Sequence, residues 1–168
     1  SNKILWNDTV GQISLAVTTL FWGAGATLQF IVLLWAQVHL NMTLDKAAML
    51  QGIVAVGVIL GSVIAGKLIS LKNSIKVLPT GILMGLVVPM MTLTSSLIPA
   101  SMLLVIIGAL AGSFVVPMNA LLQHRGYVTL SAGQSIAVQN FNENLNVLFM
   151  LGVYSFLLYA NLDVNIIV

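Results

Sequence analysis

The stretch from Ala47 to Ser70 reads AAMLQGIVAVGVILGSVIAGKLIS, and its one charge, Lys67, lies near its end. A helix rises about 1.5 Å per residue, so a run of this length crosses a hydrocarbon core about 30 Å thick. A helix also pairs its own backbone groups, which lipid requires of anything that spans it. Working outward, similar runs recur along the chain. Spans are expected over about 13–38, 47–70, 77–94, 100–122 and 132–159.

Composition leads to the same class. Of 168 residues, 59% are apolar and 6% charged, whereas a soluble domain carries about a quarter charged residues. The fold class is therefore all-α, a polytopic transmembrane helix bundle. A strand barrel would alternate in segments of about ten residues, and these runs are continuous. Cysteine is absent, which excludes disulfides and thiolate metal sites. The basic residues are scattered and form no patch for nucleic acid. The opening Ser1-Asn2-Lys3 has no methionine and no secretory signal follows it, so the chain reads as a fragment. Its end, NLDVNIIV, reads as the start of a sixth helix.

The charges also set an orientation. Lys3, Lys67, Lys72, Lys76 and Arg125 fall on one side of the five expected spans, and only Lys46 falls on the other. The positive-inside bias puts the N-terminal side and the two basic connections, Leu71 to Lys76 and Gln123 to Ser131, in the cytoplasm. Thr43 or Asp45 is the expected N-cap of the second span. Lys3 and Trp6 suit the interfacial level, and Trp35 is read as a second interfacial tryptophan.

The last span poses the functional question. AVQNFNENLNVLFMLG, Ala137 to Gly152, places Gln139, Asn140, Asn142, Glu143, Asn144 and Asn146 beside an apolar run. On a helix, Gln139, Asn142, Glu143 and Asn146 share one face, and Asn140 with Asn144 widens it. Phe141, Leu145, Leu148 and Phe149 take the other side. An unpaired polar group in hydrocarbon costs several kcal/mol, so the amide face must meet protein, water or substrate. The bland account is interhelical glue at about 0.6–2 kcal/mol per bond. The functional account is the wall of a water-lined cavity, with Glu143 a candidate proton-coupling group.

Span one carries a second set. Thr18, Trp22, Gly25 and Gln29 recur at helical spacing, and Gly23 with Gly25 weakens the helix or opens room beside it, as in broken helices that line transport sites. In span four, Gly112 and Pro117 are expected to give flexibility, and Asn119 shares a face with Gln123. Small residues four apart, namely Gly57, Gly61 and Ala65, then Gly81 with Gly85 and Gly108 with Gly112, suit close helix crossings. Nothing reads as an enzyme: there is no phosphate loop, no HExxH and no carboxylate pair. His39 and His124 fall on opposite sides and cannot share a metal. No catalytic residue, metal site or cofactor is expected.

Three stretches carry a likeness. FWGAGATLQF (Phe21 to Phe30), GSFVVPMNALLQHRG (Gly112 to Gly126) and AGQSIAVQNFNEN (Ala132 to Asn144) resemble the C-terminal half of the bacterial lysophospholipid transporters of the major facilitator superfamily. The resemblance extends over nearly the whole chain. It implies five of the six helices of that half, numbers seven to eleven of twelve, with an N-terminal six-helix half and a twelfth helix elsewhere. It further implies movement of lysophosphatidylethanolamine and related lysolipids from the outer to the inner leaflet of a bacterial inner membrane. A partner acyltransferase with acyl-carrier-protein synthetase activity is implied too. Trp22, Gln29, Asn119, Gln139, Asn140, Glu143 and Asn144 fall in the family-like segments. The superfamily's charged loop signature is incomplete, with Gly66-Lys67 present and its aspartate missing. A carrier of another small solute or drug, or a noncatalytic membrane scaffold subunit, are the alternative readings.

Overall fold

The computed structural model describes residues 8–94, 96–129 and 131–160. Lys3 and Trp6, used above for orientation and interface, and the expected start of a sixth helix lie outside the described residues.

Asp8 starts the first helix by accepting the Gly11 backbone N–H at 2.8 Å, which satisfies one of the free donors of the first turn. Helix α1 then runs over Thr9–His39 and ends at Asn41, whose φ of 50° turns the chain. Helix α2 covers Leu44–Leu68, with Thr43 at its N-cap position but no side-chain capping bond. Helix α3, Leu78–Val87, is flanked by 3-10 segments Leu71–Val77 and Val88–Leu93. Pro79 sits in the first turn of α3, and Pro89 in the first turn of the second 3-10 segment, where the α geometry gives way. Helices α4, Leu97–Thr129, and α5, Ala132–Tyr159, complete the set.

Four units are long and apolar enough to cross a membrane: α1, α2, the composite Leu71–Leu93, and α4 through Val128. The chain is a multi-pass membrane bundle. The expected fifth span, α5, is 28 residues long but is not among these units. Its amide-rich turns dilute its apolar character.

Helix α4 is central, packing against α1, α2, α3, α5 and both 3-10 segments. Its closest partner is α2, and the contact is made by glycines on both sides. A Cβ on Gly57 would strike the Val105 carbonyl, and one on Gly61 the Ala109 carbonyl. Reciprocally, a Cβ on Gly108 would strike the Val54 carbonyl, and one on Gly112 the Val58 carbonyl. The backbones therefore meet directly, which maximises dispersion where lipid offers no hydrophobic drive. At one end of the bundle, Val32, Trp35, Ala36, Ala47, Leu50, Ala100, Leu104 and Ile107 form an apolar core with Met91.

Several expectations require correction. Trp35 is not interfacial: it is 0% exposed, at the centre of that core, and three buried alanines in the same cluster leave the room its indole needs. The first basic connection is helical, and so is the second as far as Thr129. Leu71–Val77 is a 3-10 turn docked on α4 through the buried Ser74 and Val77. Helix α4 continues past residue 122 to Thr129, because Ser135 of α5 packs into the notch at Gly126 and Asp8 pairs with Arg125 at 3.5 Å. Helix α1 is unbroken at Gly23 and Gly25, and α4 at Pro117. Gly112 serves the α2 contact.

Candidate functional site

The site lies where α1, α4 and α5 meet. Gln139, on α5, is 9% exposed. Its Nε2 donates to Asn119 Oδ1 on α4 at 3.1 Å and to Glu143 Oε1, one turn further on, at 2.9 Å. One amide thus joins two helices and holds a carboxylate. The i, i+4 spacing of Gln139 and Glu143 stacks them on one face, and the register of α4 brings Asn119 opposite.

A second polar bond ties α5 to α1. Asn146 Nδ2 donates to the Thr19 carbonyl at 2.9 Å. Gly23 makes that bond possible, since a Cβ there would meet Asn146 Nδ2. The glycine opens room, and the room is filled by an amide. Thr27 and Thr18 turn their hydroxyls onto carbonyls of their own helix, Gly23 at 3.0 Å and Ser14 at 2.9 Å. This bonding satisfies a hydroxyl inside an apolar bundle.

The six polar residues of α5 therefore divide. Gln139, Glu143 and Asn146 face the bundle interior, and Asn142 donates to the Val138 carbonyl at 2.7 Å. Asn140 and Asn144 are exposed, with Asn144 Nδ2 donating to the Asn140 carbonyl at 2.8 Å. Beside them the apolar face is equally open: Phe141, Leu145, Leu148 and Phe149 are all more than half exposed. Along the uncovered side of α5, an amide stripe and an aromatic stripe run in parallel.

On α1, Trp22 is 43% exposed and its ring meets Phe21 edge-on with centroids 5.8 Å apart. Phe21 in turn packs on Phe114 of α4. Gln29 is exposed, and its backbone carbonyl accepts a bond from Gln51 of α2 at 2.9 Å. Thr18 is buried while Trp22 and Gln29 are open, so the expected single face of α1 twists from the interior to the surface. Of the residues singled out from sequence, Asn119, Gln139 and Glu143 form one bonded group. Asn146 reaches α1 separately. Sequence reasoning missed the Asp8–Arg125 pair and the Thr19 carbonyl, because both depend on helices distant in sequence coming together.

With this geometry in place, the chain can be compared with known proteins. It is 47% identical over 155 residues to proteins named lysophospholipid transporter LplT from Yersinia pestis (strain Pestoides F) and Yersinia pseudotuberculosis serotype O:3 (strain YPIII). The likeness extends over nearly the whole chain. The match covers 91% of the chain and 38% of each relative, so the chain spans well under half the length of the curated relatives it matches. No protein-family model matches it, and no solved structure matches it significantly. The matched length takes in almost all of the bundle, the amide group on α4 and α5 included.

Proposed function

We propose that the chain is the C-terminal half of a lysophospholipid transporter of the major facilitator superfamily. Its five helices correspond to helices seven to eleven of twelve, and it works against an N-terminal six-helix half by alternating access. The protein moves lysophosphatidylethanolamine and related lysolipids from the outer to the inner leaflet of a bacterial inner membrane. The N-terminal side of the chain and its basic end lie in the cytoplasm. A partner acyltransferase with acyl-carrier-protein synthetase activity restores the second acyl chain.

The observation that carries the reading, beside the likeness to LplT, is the paired stripes on the open side of α5. A lysolipid has one acyl chain and a polar headgroup, so it needs an apolar wall alongside a polar one. Phe141, Leu145 and Leu148 supply the first. Asn140 and Asn144 supply the second, with Glu143 one turn away on the inward face, held by Gln139. Gln139, Asn119 and Asn146 hold these groups in place. Trp22 and Gln29 extend the wall onto α1.

Uptake of labelled lysophosphatidylethanolamine by the full-length protein in proteoliposomes tests the function directly. Glu143→Leu and Asn140→Leu are expected to reduce uptake at least about tenfold at equal abundance, the effect of losing a charge-assisted or paired polar contact, and Phe141→Leu less than threefold. Equal effects from all three would reduce the polar stripe to scaffold. Uptake of a water-soluble solute or drug in place of lysolipid would move the substrate to another class. If Glu143 couples transport to protons, Glu143→Gln should flatten the pH profile of uptake, and an unchanged profile removes that role.

A further inference from the structure

The basic end of the bundle holds a cavity separate from the amide group. It has a volume of about 280 Å³, is open to the outside, and is lined by Val10, Leu71, Lys72, Ile75, Leu121, His124 and Arg125. Two basic side chains and a histidine from three turns of structure converge there: Lys72 on the 3-10 segment, His124 and Arg125 on the last turns of α4. Asp8, which caps α1, pairs with Arg125, and Lys72 brings a further cation to the lining.

We infer that this cavity binds the phosphate-bearing headgroup of an anionic membrane phospholipid. Three observations support a lipid over a soluble ligand. The volume sits at the lower limit for small-molecule clefts, about 300 Å³, which suits a headgroup and not a whole lipid. The remaining walls are apolar, and Leu71 and Ile75 continue onto the outer surface, where they are 38% and 40% exposed. An acyl chain can follow them, and the neighbouring Leu68 is 78% exposed. Finally, Lys67 and Lys76 are exposed on the same end, adding attraction for an anionic leaflet. The correction made above is what builds the site. Had residues 71–76 and 123–129 been loops, as composition suggests, these cations would be dispersed. As helical turns docked on one another, they face one hollow. The inference needs only a membrane-embedded bundle and stands whether or not the chain belongs to a lysolipid carrier.

The test uses the full-length protein in nanodiscs of zwitterionic phosphatidylethanolamine, with phosphatidylglycerol or cardiolipin added and retained lipid counted by native mass spectrometry. Wild-type protein should retain anionic lipid preferentially. Each cation lining the cavity contributes about a fivefold gain in binding, so Lys72→Gln should weaken retention about fivefold and Lys72→Gln with His124→Gln further. Lys46→Gln, at the other end of α2, should leave it unchanged. Arg125→Gln also breaks the pair with Asp8, so it is read only alongside an unchanged melting temperature. If inorganic phosphate protects the protein thermally while anionic lipid shows no preference, the cavity takes a free anion and the lipid inference fails. Equal retention by Lys72→Gln and wild type overturns it as well.

Discussion

Two seams hold this bundle together, and they work by opposite means. Between α2 and α4 the contact is backbone to backbone: Gly57 lies against Gly108, Gly61 against Ala109, and Gly112 against Val58 and Ser62, with carbonyl oxygens where side chains would be. Between α5 and its neighbours the contact is polar, made by Gln139 to Asn119 and by Asn146 to the Thr19 carbonyl. In lipid neither seam gains from burying apolar surface, because the tails are as apolar as the side chains. The glycine seam gains dispersion and fixes one geometry. The amide seam gains a few bonds and leaves polar capacity over, on Asn140, Asn144 and Glu143. The difference teaches which seam is scaffold and which one carries a site.

That contrast breaks most sharply at Gly61. Gly61→Val places its side chain against the Ala109 backbone, which cannot move aside, and a destabilisation of about 3 kcal/mol or more is expected. A thermal melt of full-length protein in detergent measures it, and a melt within a degree of wild type would mean the helices are not in backbone contact.

The polar seam offers a milder version. Gly23→Ala pushes on Asn146 Nδ2 and should cost about 2 kcal/mol. Adding Asn146→Ala should return part of that loss by emptying the notch. Additive costs in this double-mutant cycle would deny the contact.

Gln139→Leu removes two bonds and should cost about 0.6–2 kcal/mol in stability, and leaves Asn119 and Glu143 without their shared donor. Its effect on lysolipid uptake should exceed its effect on the melt. The reverse ordering would make the amide group an adhesive only.

Smallest of all is Phe141→Leu. This side chain is 61% exposed, and a change there should shift stability by no more than about 0.5 kcal/mol. A larger loss would show that Phe141 is covered in the assembled protein.

The amides of α5 show how far pattern alone reaches. Helical spacing put Gln139, Asn142, Glu143 and Asn146 on one face, and the structure turns that face inward. Spacing gave no sign that Gly23 is a notch for Asn146, since the partner lies on another helix. Trp35 shows the converse: near the end of an apolar run it has the profile of an interfacial tryptophan, and only its packing with Ala36, Ala47 and Ala100 reveals a core residue. Local composition also misread the basic segments as connections. Polar residues at a helix end look the same whether or not a neighbour extends the helix.

By itself the sequence determined the solvent and the class. So few charges cannot cover a water-exposed globule, and uncharged runs of this length fold as helices because lipid leaves backbone groups no other partner. The tertiary structure alone decided which polar groups are consumed by packing and which stay open. That choice depends on the register between helices, and register is set by groups more than a hundred residues apart, such as the Asn146 side chain and the Thr19 carbonyl.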